Sequence, residues 1–231
     1  MNKKYQKNLE KLRREINTSS IHENKNIDDI ISWLNNRKKY DKTIISRVDL
    51  SDLKDWEFNK GKNLLHKSKQ FFSVIGLKIT NAYNREVKNW DQPILNQKHG
   101  GILAIIYRNN KGIVEFLLHA RREPGDKDLK LCPTISATKS NLNRAHDGKK
   151  TRLSNLIFSK NRNLVSETIH FEEGARFYQK PNKNTLIKIN KYDERHITDP
   201  NFIWCNLTQI KKINLIKGII NPYVKTILFM I

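Results

Sequence analysis

The stretch ARREPGDKDLKLCPTISATKSNLNRAH, residues 120–146, holds six basic side chains, Cys132, His146 and a train of small hydroxyl residues around one glycine. Cations, hydroxyls and amides in alternation all present hydrogen to an oxygen acceptor, so the run suits an anionic, oxygen-rich ligand. Arg121, Lys139 and Arg144 would carry the charge; Thr138, Ser140 and Asn141 would supply the neutral donors. Glu123 is available as a catalytic carboxylate or as an ion-pair partner of Arg121 or Arg122. His146 has an ordinary pKa suited to giving and taking protons, or simply closes the loop with a hydrogen bond. The competing plain reading is a solvated basic loop. Two features favour a site. The stretch follows the apolar run IVEFLLHA, whose strand-like pattern would fix its root. Pro124–Gly125 then forces a turn.

Other chemistries find no footing. There is no GxSxG, no phosphate-binding glycine loop, no GxGxxG and no HExxH. Seven histidines are scattered without metal-ligand spacing, so no metal is expected. Cys132 and Cys205 stand far apart and read as reduced thiols of a cytoplasmic protein. The first fifteen residues lack the apolar centre of a secretory signal, and no apolar run reaches eighteen residues, so no membrane partner is expected. The net charge of +21 attracts polyanions. Because Lys, Asn and Ile saturate the whole chain and the lysines gather in no single arm, the charge reads either as compositional bias or as functional, and a nucleic-acid binder is the alternative of another class.

The elements that must position these residues read as α+β. Residues 1–17 carry Tyr5, Leu9, Leu12 and Ile16 at helical spacing, ended by NTSS. A second helix has Ile27, Ile30, Ile31 and Leu34 on one face. FFSVIGLKI reads as a strand, and GILAIIYRNNKGIVEFLLHA as two strands joined at RNNKG. GARFYQKPNKNTLIKIN reads as a second hairpin turning at PNKN. Thr208 is placed as the cap of a late helix closed by Gly218, and Asn221–Pro222 as cap and first residue of the last one. The division is a helical extension over 1–45 and one module over 46–231.

Several stretches resemble the NDP-hexose 2,3-dehydratase family. ARREPGD, LCPTISATKSN and NRAH are similar to its A-[KR]-x-E-P-G and L-x-P-T-x-x-A-T-x-S-N runs. LLHKSKQFFSVIGLKI, WDQPILNQKHGGILA, FEEGARFYQKPNKN, WCNLTQIKKI and NPYVKTILFMI resemble further blocks in the same order, over residues 46–231. The resemblance implies a Nudix-like mixed or antiparallel sheet with flanking helices. It implies loss of water across C2–C3 of an NDP-4-keto-6-deoxyhexose, typically dTDP-linked, in deoxysugar biosynthesis, with no cofactor. On that reading Glu123, His146 and Glu172 are the catalytic candidates. Trp56, Trp90, Arg121, Thr138, Lys139, Ser140, Asn141 and Arg144 are the substrate-binding ones, the tryptophans by stacking on base or sugar. Members usually carry two tandem copies of the module, which implies a homodimer or a second module-bearing chain here; a catalytically silent nucleotide-sugar-binding module is the rival reading. Departures from the family pattern fall at Gln70, at His99, in the segment His119–Ala120–Arg121, and at Phe171 and Glu173, beside the matched Glu172.

Overall fold

A computed structural model of the chain describes residues 3–19, 24, 26–97, 99–145 and 148–231. Leu9, Leu12 and Ile16 form the buried stripe of helix α1, Lys3–Ser19. The helix runs through the segment expected to end it. The Thr18 hydroxyl donates back to the Arg14 carbonyl and that of Ser19 to Ile16, so the last turn satisfies these side chains internally. Helix α2, Asp28–Tyr40, has Asp28 and Asp29 in its first turn and Arg37, Lys38 and Lys39 in its last, each charge favourable to the helix dipole.

Four short strands follow as an antiparallel meander: β1 (Trp56–Phe58), β2 (Leu64–His66), β3 (Ser73–Ile79) and β4 (Trp90–Asn96). The main sheet begins with β5 (Gly101–Asn110) and β6 (Ile113–Arg121). They form the expected hairpin, and Lys111 and Gly112 at its turn both have positive φ, 50° and 90°, as a tight hairpin turn demands. Next come β7 (Lys130–Cys132), β8 (Ile135–Thr138), the short helix α3 (Lys139–Leu142) and α4 (Ser154–Phe158). β9 (Asn163–Phe171), β10 (Pro181–Lys188), α5 (Lys191–Glu194), β11 (Phe202–Asn206), α6 (Leu207–Asn214) and α7 (Pro222–Leu228) complete the order.

The main sheet runs β11-β6-β5-β10-β9, with β7 on β6 and β8 on β5. Only β5 and β10 among these pairs are parallel, so the sheet is mixed and the class is α+β with flanking helices, as expected. Alternation along β5 sends Leu103, Ile105 and Tyr107 to one face and Ala104 and Ile106 to the other. The first face packs against α1, α2, α6 and α7 through Leu12, Leu34, Ile213 and Ile227, all fully buried. No described helix is long and apolar enough to cross a membrane.

Two expectations give way. PNKN is the start of strand β10, not a turn: Pro181 takes the first strand position, and Asn182 is buried with its Oδ1 accepting from the Gly101 amide at 2.9 Å. The hairpin is β9–β10, and the chain reverses through 172–180. The cap of α6 is Asn206, two residues before Thr208. It forms a reciprocal capping box with Gln209, whose side chain accepts from the Asn206 amide at 3.0 Å. Asn221 caps α7 and Pro222 opens it, as expected.

Candidate functional site

The site grows out of a fork in the main sheet. β5 and β6 pair from the hairpin as far as Ile106 and Leu117, then part; β5 goes on to pair with β8, and β6 with β7. A parted pair leaves backbone groups unsatisfied, and Thr134 fills the gap. Its buried hydroxyl accepts from the Ile106 amide at 3.0 Å and donates to the Leu117 carbonyl at 2.5 Å. Arg121 spans the fork further out. Its Nη1 donates to the Ser136 carbonyl on β8 at 2.7 Å, and its Nε pairs with Glu123 Oε1 at 3.1 Å.

Beyond the fork lies a cavity of about 680 Å³. Arg37, Arg121, Arg122, Arg144, Lys149, Lys150 and Arg152 line it, with His119, Ser136 and Asn141. Some of this charge is met within the protein. Arg121 has Glu123, Arg122 reaches Asp41 at 3.5 Å and the Thr43 carbonyl at 3.1 Å, and Arg152 pairs with Asp199. The Thr43 hydroxyl and amide, with Arg122, hold the Asp41 carboxyl below its ordinary value. Arg144, Lys149 and Lys150 have no side-chain partner among the described residues. Arg37 stacks on the Tyr40 ring at 4.8 Å while its buried Nε has no hydrogen-bond partner among the described residues. His119 stands among these cations with its ring stacked 4.4 Å from Phe202. Burial first, then Arg121 and Arg152, push its pKa down to about 4, against a smaller opposing pull from Asp199.

A second cavity of about 500 Å³ lies between the meander and helix α3. Its lining is aromatic and amide: Phe71, Phe72, Gln70, Asn96 and Gln97, with His66, His99, Lys139 and Ser140. Trp56 stands behind this wall, 4.9 Å from the Phe72 ring and 5.5 Å edge-on to His66. Thr138 caps α3 through the Asn141 amide and shares a 2.8 Å hydrogen bond with Ser140.

A third polar group sits apart, under α7. Glu172 Oε1 receives Asn182 Nδ2 at 2.6 Å, the Tyr223 hydroxyl at 2.5 Å and Lys180 Nζ at 3.4 Å. Burial and this carboxylate push the Tyr223 phenol well above its ordinary value, and Glu123 adds to the effect. The 172–180 turn also docks on β4: the Leu95 amide donates to the Arg176 carbonyl, and Gln92 Nε2 to that of Ala175 at 2.9 Å.

The structure therefore brings Arg121, Asn141 and Arg144 into one cavity, and Lys139 and Ser140 into the other, with Thr138 between. Glu123 is joined to Arg121 outside both linings. Trp90 lies apart, its Nε1 donating to Gln92 at 2.8 Å, and Glu172 lies apart in its own cluster. His146 falls outside the described residues. Sequence reasoning passed over Arg37 and His119 as site residues. A signal existed for His119: it alternates with Leu117 and Arg121 on the face of β6 opposite the one that carries Phe116 and Leu118. Nothing local marks Arg37. Cys132, the most reactive residue type in the motif, is fully buried and its thiol pushed up to about 12, chiefly by that burial.

Set against known proteins, the chain has clear relatives. The family model of NDP-hexose 2,3-dehydratases matches residues 27–231, and the chain belongs to that family. It is 31% identical over 199 residues to a dTDP-4-dehydro-6-deoxy-alpha-D-glucopyranose 2,3-dehydratase of Saccharopolyspora spinosa, covering 85% of this chain and 40% of the relative. Enzymes of the same name from Amycolatopsis orientalis and Streptomyces violaceoruber are 29% and 26% identical, with 80% and 85% of this chain and 40% and 44% of theirs covered. The chain thus spans well under half the length of the curated relatives it matches. The C. elegans Ap4A hydrolase aligns over 51% of this chain and 86% of its own, at 24% identity and a TM-score of 0.29.

Proposed function

We propose that the protein removes water across C2–C3 of an NDP-4-keto-6-deoxyhexose, dTDP-linked, as a step of deoxysugar biosynthesis in the cytoplasm. One observation carries this reading beyond the family: the matched motif block delivers Arg121, Asn141 and Arg144 to a cavity whose cations outnumber their partners among the described residues. A pocket with surplus positive charge and neutral donors suits a diphosphate. The aromatic and amide lining of the second cavity offers stacking faces and hydrogen bonds for the base, with Lys139 and Ser140 at its edge.

The chemistry needs only proton transfers. The C4 ketone acidifies the hydrogen on C3; a base removes it, and the enolate expels the C2 hydroxyl as an acid protonates it. The enol then becomes a 3,4-diketone. Glu123 and His146 are the proposed acid–base residues of the motif. Glu172, already holding three donors, would act by placing the 172–180 turn. Residues 46–231 are proposed as the module and residues 1–45 as an extension that helps to seal its core. Two copies are proposed to pair as a homodimer; Ile169 and Phe171, exposed on the open edge of β9, give such a contact an apolar element.

Incubation with dTDP-4-keto-6-deoxyglucose, followed by mass spectrometry, tests the reading: loss of one water is expected. Binding without conversion would leave a silent nucleotide-sugar module. No thermal stabilisation by dTDP together with tight, salt-sensitive oligonucleotide binding would overturn it in favour of a nucleic-acid binder.

A further inference from the structure

We infer that Arg37 of helix α2 is a substrate-binding residue of the proposed dehydration, its guanidinium holding the diphosphate of the nucleotide sugar. The inference rests on the dehydratase reading and makes the N-terminal extension part of the site.

Three observations carry it. The first is position on the helix. Ile30 and Leu34 form the buried stripe of α2, at 4% and 1% exposure, and Arg37 comes next at the same helical spacing. An apolar residue would continue that stripe at no electrostatic cost, whereas a guanidinium has to be taken partly out of water. The helix dipole does not explain the choice, because Lys38 and Lys39 already supply charge to that last turn. The second is satisfaction. Nε of Arg37 is buried without a hydrogen-bond partner, and no hydrogen bond or ion pair meets the rest of its guanidinium among the described residues. The Tyr40 ring stacks on it at 4.8 Å, which restrains the group and leaves its N–H donors for another acceptor. The third is address. Arg37 lines the basic cavity together with Arg121 and Arg144. The end of α2 is tied to the motif that supplies those two. Arg122, next to Arg121, reaches Asp41 at 3.5 Å and the Thr43 carbonyl at 3.1 Å, and Lys38 reaches Asp128 at 4.0 Å. These ties hold Arg37 in place beside the other cations before any ligand arrives.

A diphosphate suits what is left open. Paired guanidinium N–H groups match two phosphate oxygens, so one residue gives two charge-assisted hydrogen bonds. Burial of Nε strengthens the attraction, since a charge partly out of water is screened less. The same burial costs the free protein stability, and the bound anion offsets that cost. Arg37 thus acts on binding and leaves the proton transfers to Glu123 and His146.

The test uses Arg37→Met, which keeps the apolar stem of the side chain and removes the fork. Isothermal titration should show dTDP bound ~10-fold more weakly than by wild type. With dTDP-4-keto-6-deoxyglucose, KM should rise by a similar factor while kcat stays close to wild type. The thermal midpoint of the unliganded variant should equal or exceed that of wild type, because a buried polar group without a partner has been removed. An unchanged dTDP affinity overturns the assignment. So does a weakened affinity accompanied by a lowered midpoint, which would make Arg37 structural. In either case a wild type that converts the sugar leaves the dehydratase reading standing. A wild type that binds dTDP without converting the sugar overturns the dehydratase reading, and the titration of Arg37→Met still decides the binding role. A wild type that does neither overturns both. Should Arg37→Met unfold, the Nε–H signal of Arg37 in the proton–nitrogen spectrum of the wild type decides: displacement on addition of dTDP supports the contact, and an unmoved signal overturns it.

Discussion

Two polar regions of this protein have similar ingredients and opposite designs. Around Glu172, an amide, a phenol and an ammonium converge on a single carboxylate oxygen, and both members of its ion pair are about nine-tenths buried. Around Arg121 and His119, cations crowd a cavity, and several end without a partner among the described residues. A polar group already satisfied by the fold has little left for a ligand, whereas one left open costs stability until a ligand meets it. The first region closes a turn and the second is placed to receive something.

The contrast can be broken at its stiffer end. Glu172→Ala should destabilise by about 3 to 5 kcal/mol, because it strands the Lys180 ammonium in a buried setting; urea unfolding reads the loss, and a change below about 1 kcal/mol would mean the cluster is looser than it looks. Tyr223→Phe should cost about 2 kcal/mol by removing one hydrogen bond to a charged group, with dTDP affinity unchanged.

The open cavity should answer in the reverse sense. Arg144→Ala is expected to weaken dTDP binding roughly tenfold, about 1.4 kcal/mol, while leaving the unliganded thermal midpoint in place, since no described residue pairs with that side chain. Isothermal titration and a melting curve on the same sample separate the two effects; a lowered midpoint with normal affinity would make Arg144 structural. The smallest effect is one of pH. The folded pKa of His119, about 4, lies below its unfolded value, so the unfolded chain binds more protons in the window between them. Stability should therefore fall as pH drops from about 6.5 towards 4, and His119→Gln should flatten that part of the stability curve.

Much of this could be read from the chain itself, where local rules act without interference. The stripe of α1, the β5–β6 hairpin and the Asn221–Pro222 start of α7 follow from spacing, turn chemistry and capping within a few residues. PNKN misleads because its turn-like composition is overruled at a distance. Asn182 finds Gly101 and Glu172, and Gly100 permits β10 to lie so close that an added Cβ would fall 1.8 Å from the Pro181 carbonyl oxygen.

The sequence by itself determined the family, the class of fold and the composition of the motif, because these rest on residue types and their order. It named Arg121, Asn141 and Arg144 as anion ligands, but not where they would meet. Only the tertiary structure decided that the motif is divided between two cavities, that Thr134 bridges a forked pair of strands, and that Arg37 arrives from a helix some eighty residues earlier than His119. Those outcomes depend on which strand pairs with which and on who remains unpaired afterwards, quantities set by contacts far apart in the chain.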